Sequence, residues 1–252
     1  KYSADKKAHG DASLEGAQFQ LYADSACTTK ATVYNANGAK MTAGVYTIQN
    51  GKVTTDYLRS GVTYYLKEIK APVGYNLSTE VIPIMADASG KTVEYTSEIS
   101  NAEYGNNPIL GKVAIQKYYS DGETGLLDPE ANTTFQVYLK SKGSYETCTD
   151  YERAIIKTDS NGYAVTGNLY YGTYVVHQVD SGDVDAIHVD DFDVEVTENG
   201  KVYTYPLNNK LFKAYLKILK KDKQTEKQVL KPGTAYKIYR VTDDGEELVS
   251  QS

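Results

Sequence analysis

The chain has 252 residues, 40% apolar and 24% charged, an ordinary globular balance that excludes a disordered or fibrous protein. Its net charge is −6, and its lysines and arginines are scattered, so it lacks the basic stripe that a phosphate backbone requires and nucleic acid is excluded as a partner. No apolar run approaches the roughly 18 residues of a membrane helix, and the opening KYSADKKAHGD carries no signal-peptide pattern, so no membrane insertion is expected from this segment.

The aromatic residues are 24 Tyr and 4 Phe with no Trp, which together with abundant Thr and Val favours strands. Short runs with period-two alternation are separated by Asn37-Gly38, Asn50-Gly51, Asn161-Gly162, Asn199-Gly200 and Asp244-Gly245 turn signals. The strands fall into a repeat. GAQFQLY (Gly16 to Tyr22), NTTFQVYL (Asn132 to Leu139) and GTAYKIYR (Gly233 to Arg240) share one pattern, and Lys1, Lys117 and Lys220 precede their aromatic residues by 18, 18 and 16 positions. Within the first two units LRSGVTYYLKE (Leu58 to Glu68) parallels LYYGTYVVHQ (Leu169 to Gln178). Each closes on an asparagine, Asn101 after the alternation Val93, Tyr95, Ser97, Ile99, and Asn209 after Tyr203, Tyr205, Leu207. The reading is all-β, tandem Ig-like β-sandwiches over 1–105 and 110–210 with the first part of a third over 213–252. The short YGNNPILG junction and the near absence of a linker before the third unit predict a semi-rigid, monomeric rod.

Alternation also says which side chains point inward. Val113, Ile115 and Lys117 share a face, as do Leu216, Ile218 and Lys220, then Tyr64, Leu66 and Glu68, and Ile99 with Asn101. A lysine aimed into a core is costly unless something neutralises it. Burial lowers the pKa of a lysine and raises that of a carboxylic acid, so a proton can pass between them and leave a neutral amine beside a neutral acid. Such an amine can attack an asparagine Cγ while the acid bonds the amide oxygen and shuttles protons until ammonia leaves. The product is a Lys-Asn isopeptide bond joining the first strand of a domain to its last.

KYSADKKAHGDASLEGAQFQLY, TTDYLRSGVTYYLKEIKAPVGYNL and SEISN together resemble a Cna B-type, SpaA-like (prealbumin-like) domain of Gram-positive surface proteins and pilins. YLKEIKAPVGY is the most specific part, resembling the family's glutamate-bearing box and its following Ala-Pro-x-Gly-Tyr. GTYVVHQVD with YPLNN resembles a diverged member, and YLKILKKDKQTEKQVLKPGTAYKIY the start of a third. The resemblance implies extracellular tandem stalk domains with Lys1, Glu68 and Asn101 in the bond-forming roles. In the second unit Lys117 and Asn209 would be joined, but Gln178 stands at the acid position, and an amide cannot shuttle a proton; Asp180 and Asp193 are the substitutes considered. Lys220 has its partners outside the chain.

The expected function is therefore structural, a stalk region of a cell-surface adhesin or pilin-like protein on the wall of a Gram-positive bacterium, not an enzyme beyond single-turnover self-cross-linking. Two other readings stand beside it: an adhesive module that holds a host extracellular protein or glycan directly, and the accessory region of a larger secreted enzyme. Host partners would otherwise be met through parts outside this chain. No cofactor or metal is expected: Asp191, Asp193 and Glu195 alternate with Phe192, Val194 and Val196 as a solvated strand face should, and His9, His177 and His188 have no ligand spacing. Cys27 and Cys148 read as two unpaired thiols.

Overall fold

The computed structural model describes residues 2–3, 9–87, 105–120, 124–182, 186–211, 217–229, 233, 235–242 and 245–251. The chain divides into two compact units, Lys1–Phe212 and Lys213–Ser252. The larger holds two separate hydrophobic cores.

Around the first core run β1 (Tyr2–Ser3), β2 (Gln18–Tyr22), β3 (Thr32–Tyr34), β4 (Lys40–Thr42), β5 (Val45–Thr47), β6 (Thr63–Lys70), β7 (Val81–Met85) and β8 (Gly105–Asn106). One antiparallel sheet has the order β5-β2-β6-β7, β3 pairs with β4, and β1 lies parallel to β8. Alternate residues supply the core: Phe19 and Leu21 from β2, Tyr64 from β6, Ile82 and Ile84 from β7. The Asn37-Gly38 signal forms the β3–β4 turn, where Asn35 Oδ1 accepts from the Asn37 and Ala39 amides at 2.9 and 3.0 Å, a side chain bonding its own turn.

The second core lies between two sheets. Their strands are β9 (Leu110–Ser120), β10 (Asp128–Pro129), β11 (Thr134–Leu139), β12 (Arg153–Lys157), β13 (Tyr163–Val165), β14 (Leu169–Tyr170), β15 (Gly172–Gln178), β16 (Ala186–Ile187), β17 (Phe192–Val196) and β18 (Val202–Leu211). One sheet is ordered β12-β11-β15-β17. The other is ordered β10-β9-β18-β16, and β9 also pairs with β13 and β14 along the edge it shares with β10. Val113, Ile115, Phe135, Val137, Leu169, Tyr174, Val176, Val194 and Val196 fill the space between them. Hence the first and last strands, β9 and β18, are parallel neighbours over nine residue pairs.

Three prolines lie in strands: Pro129 ends the short β10, Pro83 is on β7, the last strand of its sheet among the described residues, and Pro206 is on β18, where β16 reaches only Lys210 and Leu211. In the smaller unit β19 (Lys237–Thr242) and β20 (Gly245–Gln251) form an antiparallel hairpin.

Candidate functional site

Lys117 is wholly buried (0% exposed) on the same face of β9 as Val113 and Ile115, where strand alternation puts it. In the parallel register Leu207 lies opposite Lys117 and Asn209 opposite Tyr119, so Asn209 (1% exposed) follows two residues beyond the lysine's partner. The group that joins them is Glu130 (1% exposed), immediately after β10. Its backbone is pinned at both ends: its N–H donates to the Lys117 carbonyl at 3.1 Å, and its carbonyl accepts from Thr158 Oγ1 at 2.7 Å.

The Glu130 carboxylate accepts three hydrogen bonds. Lys117 Nζ donates to Oε2 at 2.8 Å, and Thr133 Oγ1 and Asn209 Nδ2 donate to Oε1 at 3.0 and 3.3 Å. Lys117 Nζ donates further to the Tyr118 carbonyl at 2.7 Å. Burial pushes the Lys117 ammonium below the usual lysine range, opposed by the hydrogen bond and charge of Glu130. Asn209 Oδ1 is buried without a hydrogen-bond partner. An ionised carboxylate only accepts, so it can hold the NH₂ end of this amide and not the oxygen. With the amide turned over, Oδ1 would face Glu130 and could be bonded only by the protonated acid.

The β13 side is fitted to the same lysine. The Lys117 amide donates to the Gly162 carbonyl at 2.7 Å, and Gly162 has φ +72°, so a Cβ there would lie 2.2 Å from the Lys117 oxygen. The Asn161-Gly162 turn is therefore held to glycine by close approach as well as by its backbone angle.

In the first sandwich Glu68 (2% exposed) lies opposite Phe19 across β2 and β6, the place that Gln178 holds opposite Phe135 across β11 and β15. Glu68 Oε2 accepts from the Ser78 amide at 2.8 Å and from Asn106 Nδ2 at 2.7 Å. Asn106 (1% exposed) also donates to the Asn76 carbonyl at 2.8 Å, and its Oδ1, like that of Asn209, is buried without a partner. Lys1 and Asn101 lie outside the described residues.

Three expectations change. Gln178 is buried, but its amide closes a loop, donating to the Asp180 carbonyl at 2.9 Å and accepting from the Val189 amide at 3.2 Å. Neither substitute considered for it meets the lysine: Asp180 accepts from the Thr134 and Gly182 amides, and Asp193 is exposed and paired with Lys140. The carboxylate that meets Lys117 is that of Glu130, which strand alternation misses because it lies between strands. Lys220 is exposed and outside any strand, its carbonyl accepting from the Val229 amide at 2.8 Å; a lone hairpin supplies no second layer to bury it. One signal for Asn106 was available, the Asn-Asn pair that precedes the next unit in both repeats, Asn106-Asn107 and Asn208-Asn209.

Cys27 and Cys148 are free thiols, and burial pushes the Cys148 thiol up. Among the described residues no cluster of three metal-ligating side chains occurs, and no helix is long and apolar enough to cross a membrane.

The two sandwiches each hold a buried acid–asparagine pair, and in the second a buried lysine bonds the same carboxylate as the asparagine. Residues 2–100, the stretch that holds the first sandwich, match the family model of the SpaA prealbumin-like fold domain. The TIE protein of Bacillus anthracis shares the fold at a TM-score of 0.57 and 20% identity, over 99% of this chain and 39% of that one. The chain thus spans 39% of that protein's length. The C-terminal fragment of the pilus adhesin SpaC from Lactobacillus rhamnosus GG aligns at a TM-score of 0.44 and 12% identity, covering 85% of this chain and 97% of that one. A minor pilin of Streptococcus agalactiae aligns at 0.35 and 19% identity, covering 83% and 88%. The search of curated proteins returned no match.

Proposed function

We propose that the chain is a stalk segment of an extracellular adhesin or pilin-like protein of a Gram-positive bacterium, its sandwiches at 1–105 and 110–210 followed by the start of a third at 213–252. Each complete sandwich is stiffened by a Lys-Asn isopeptide bond that it forms by itself. The observation that carries this is the buried Lys117–Glu130–Asn209 cluster between the first and last strands of the second sandwich. The Lys117 ammonium passes a proton to Glu130, and the neutral amine adds to Cγ of Asn209. The acid bonds the developing oxyanion. As the intermediate collapses the Cγ–Nδ2 bond breaks, a proton from Lys117 Nζ reaches the leaving nitrogen, and ammonia departs; as ammonium it carries the Glu130 proton with it.

For the first sandwich the strand register supports Asn106 as the amide and Lys1 as the amine. Tyr119 lies opposite Asn209 and two residues after Lys117; Ser3 lies opposite Asn106 and two residues after Lys1. Glu68 is then the acid, bonded to Asn106 as Glu130 is to Asn209. Intact mass under denaturing conditions tests the reading, since each bond removes one ammonia, about 17 Da. A wild-type mass equal to that of the unmodified sequence rejects it.

A further inference from the structure

The seam between the two sandwiches carries a second construction, independent of the cross-links. The segment from His9 to Ala12, which belongs to the first sandwich, is gripped from both sides. On its own side the Ser13 amide donates to the Val73 carbonyl at 3.0 Å, and Ala12 lies so near Gly74 that a Cβ on that glycine would come within 2.4 Å of the Ala12 Cβ.

On the other side the segment meets the chain where β14 runs into β15. The Asp11 amide donates to the Tyr171 carbonyl at 2.9 Å. The Asp11 carboxylate accepts from the Thr173 amide at 3.2 Å and from the Ser141 hydroxyl, so one side chain holds two separate parts of the second sandwich. The His9 ring stacks on Tyr170 with centroids 4.3 Å apart and planes at 17°, and Tyr170 packs in turn on Tyr151 at 5.2 Å.

Three glycines make this fit possible. A Cβ on Gly10, at φ +56°, would lie 2.4 Å from the Tyr171 oxygen. One on Gly172 would lie 2.8 Å from Asp11 Oδ2, and one on Gly74 would also reach Tyr171 at 3.1 Å. The connecting chain is bonded into the same seam: the Ile109 amide donates to the Gly74 carbonyl at 2.9 Å, and the Tyr171 amide to the Ile109 carbonyl at 3.1 Å. A loose hinge needs none of these close approaches and leaves such backbone groups to water.

We infer that the His9–Ala12 segment is a latch, with Asp11 as its bolt, that makes the two sandwiches turn as one body. Domains joined only through a short linker reorient by default; here the latch removes that freedom. Residual dipolar couplings measured on the intact chain test it. The residues of the two cores should report one common alignment tensor in the wild type. The double variant Asp11→Ala, Tyr170→Ala should lose it, the two cores then reporting tensors of different magnitude and orientation while each keeps its own chemical shifts. Distinct tensors in the wild type overturn the inference. So does a common tensor that survives the double variant. Should the Tyr170 change perturb the second core, Asp11→Ala with Gly10→Val, which drives a side chain into the Tyr171 carbonyl from the first sandwich, carries the same two outcomes.

Discussion

Replacing Glu130 by glutamine keeps the size and hydrogen-bonding ends of the side chain and removes its capacity to hold a proton for transfer. If Glu130 is the acid, the Glu130→Gln chain keeps its ammonia and weighs about 16 Da more than the wild type linked in both sandwiches, the ammonia of about 17 Da less the roughly 1 Da lost in the substitution. The unmade bond would have closed the chain from Lys117 to Asn209. By the loop-entropy relation used for disulfides, a staple of that span contributes about 4.6 kcal/mol. For a domain of this size that corresponds to a melting transition lower by roughly 20–30 °C in the second sandwich. The variant also leaves Lys117, wholly buried, facing a neutral amide. Asn209→Ala removes the bond but leaves the Lys117–Glu130 pair, so Glu130→Gln should melt below Asn209→Ala, and the gap measures the buried amine's loss of its partner. Electrospray mass of the denatured chains and calorimetry read both. An ammonia-free mass in Glu130→Gln, or a transition that stays within a few degrees of the wild type, refutes the assignment.

In the first sandwich Asn106→Ala should regain the mass of one ammonia and Asn101→Ala should not; the opposite pattern places the amide at Asn101. Gly162→Ala puts a Cβ against the Lys117 carbonyl at a positive φ and should cost about 1–3 kcal/mol in a denaturant titration; an unchanged midpoint shows that the turn can shift freely. The unlinked Asn209→Ala protein should grow more stable as pH rises. Lys117 has its folded-state pKa below its unfolded 10.5, so between those values the unfolded chain binds more protons and each step up in pH favours the fold. Denaturation midpoints taken from neutral pH toward 10.5 should rise, and Lys117→Met in the same background should flatten the slope. A slope that survives the methionine belongs to other groups.

The all-β fold was legible because strand alternation and Asn-Gly turns are local signals. Inward-facing groups on regular strands were legible too: Lys117, Glu68 and Asn209 follow the period of their neighbours and are buried. Glu130 was not, since it stands between β10 and β11, where no period runs, and reaches Lys117 only because β9 brings that lysine to it. Gln178 shows the converse. Its place opposite Phe135 matches that of Glu68 opposite Phe19, yet the backbone groups of Asp180 and Val189 have taken over its amide. Asn106 escaped because the run that ends at Ile99 points to Asn101, whereas pairing with β1, a contact about a hundred residues distant in sequence, is what sets Asn106 beside Glu68.

Pro83 and Pro206 bear on how many such molecules can be crowded together. A strand at the rim of a sheet offers its amides and carbonyls to any passing chain, and repeated copies displayed side by side would be the readiest recruits for fibrous stacking. Proline has no N–H to donate, so each residue leaves a gap in the row of bonds a foreign strand would need. Both fall where the described sheets stop or are barely covered. Each rim is thereby less open to strand addition by a neighbouring chain.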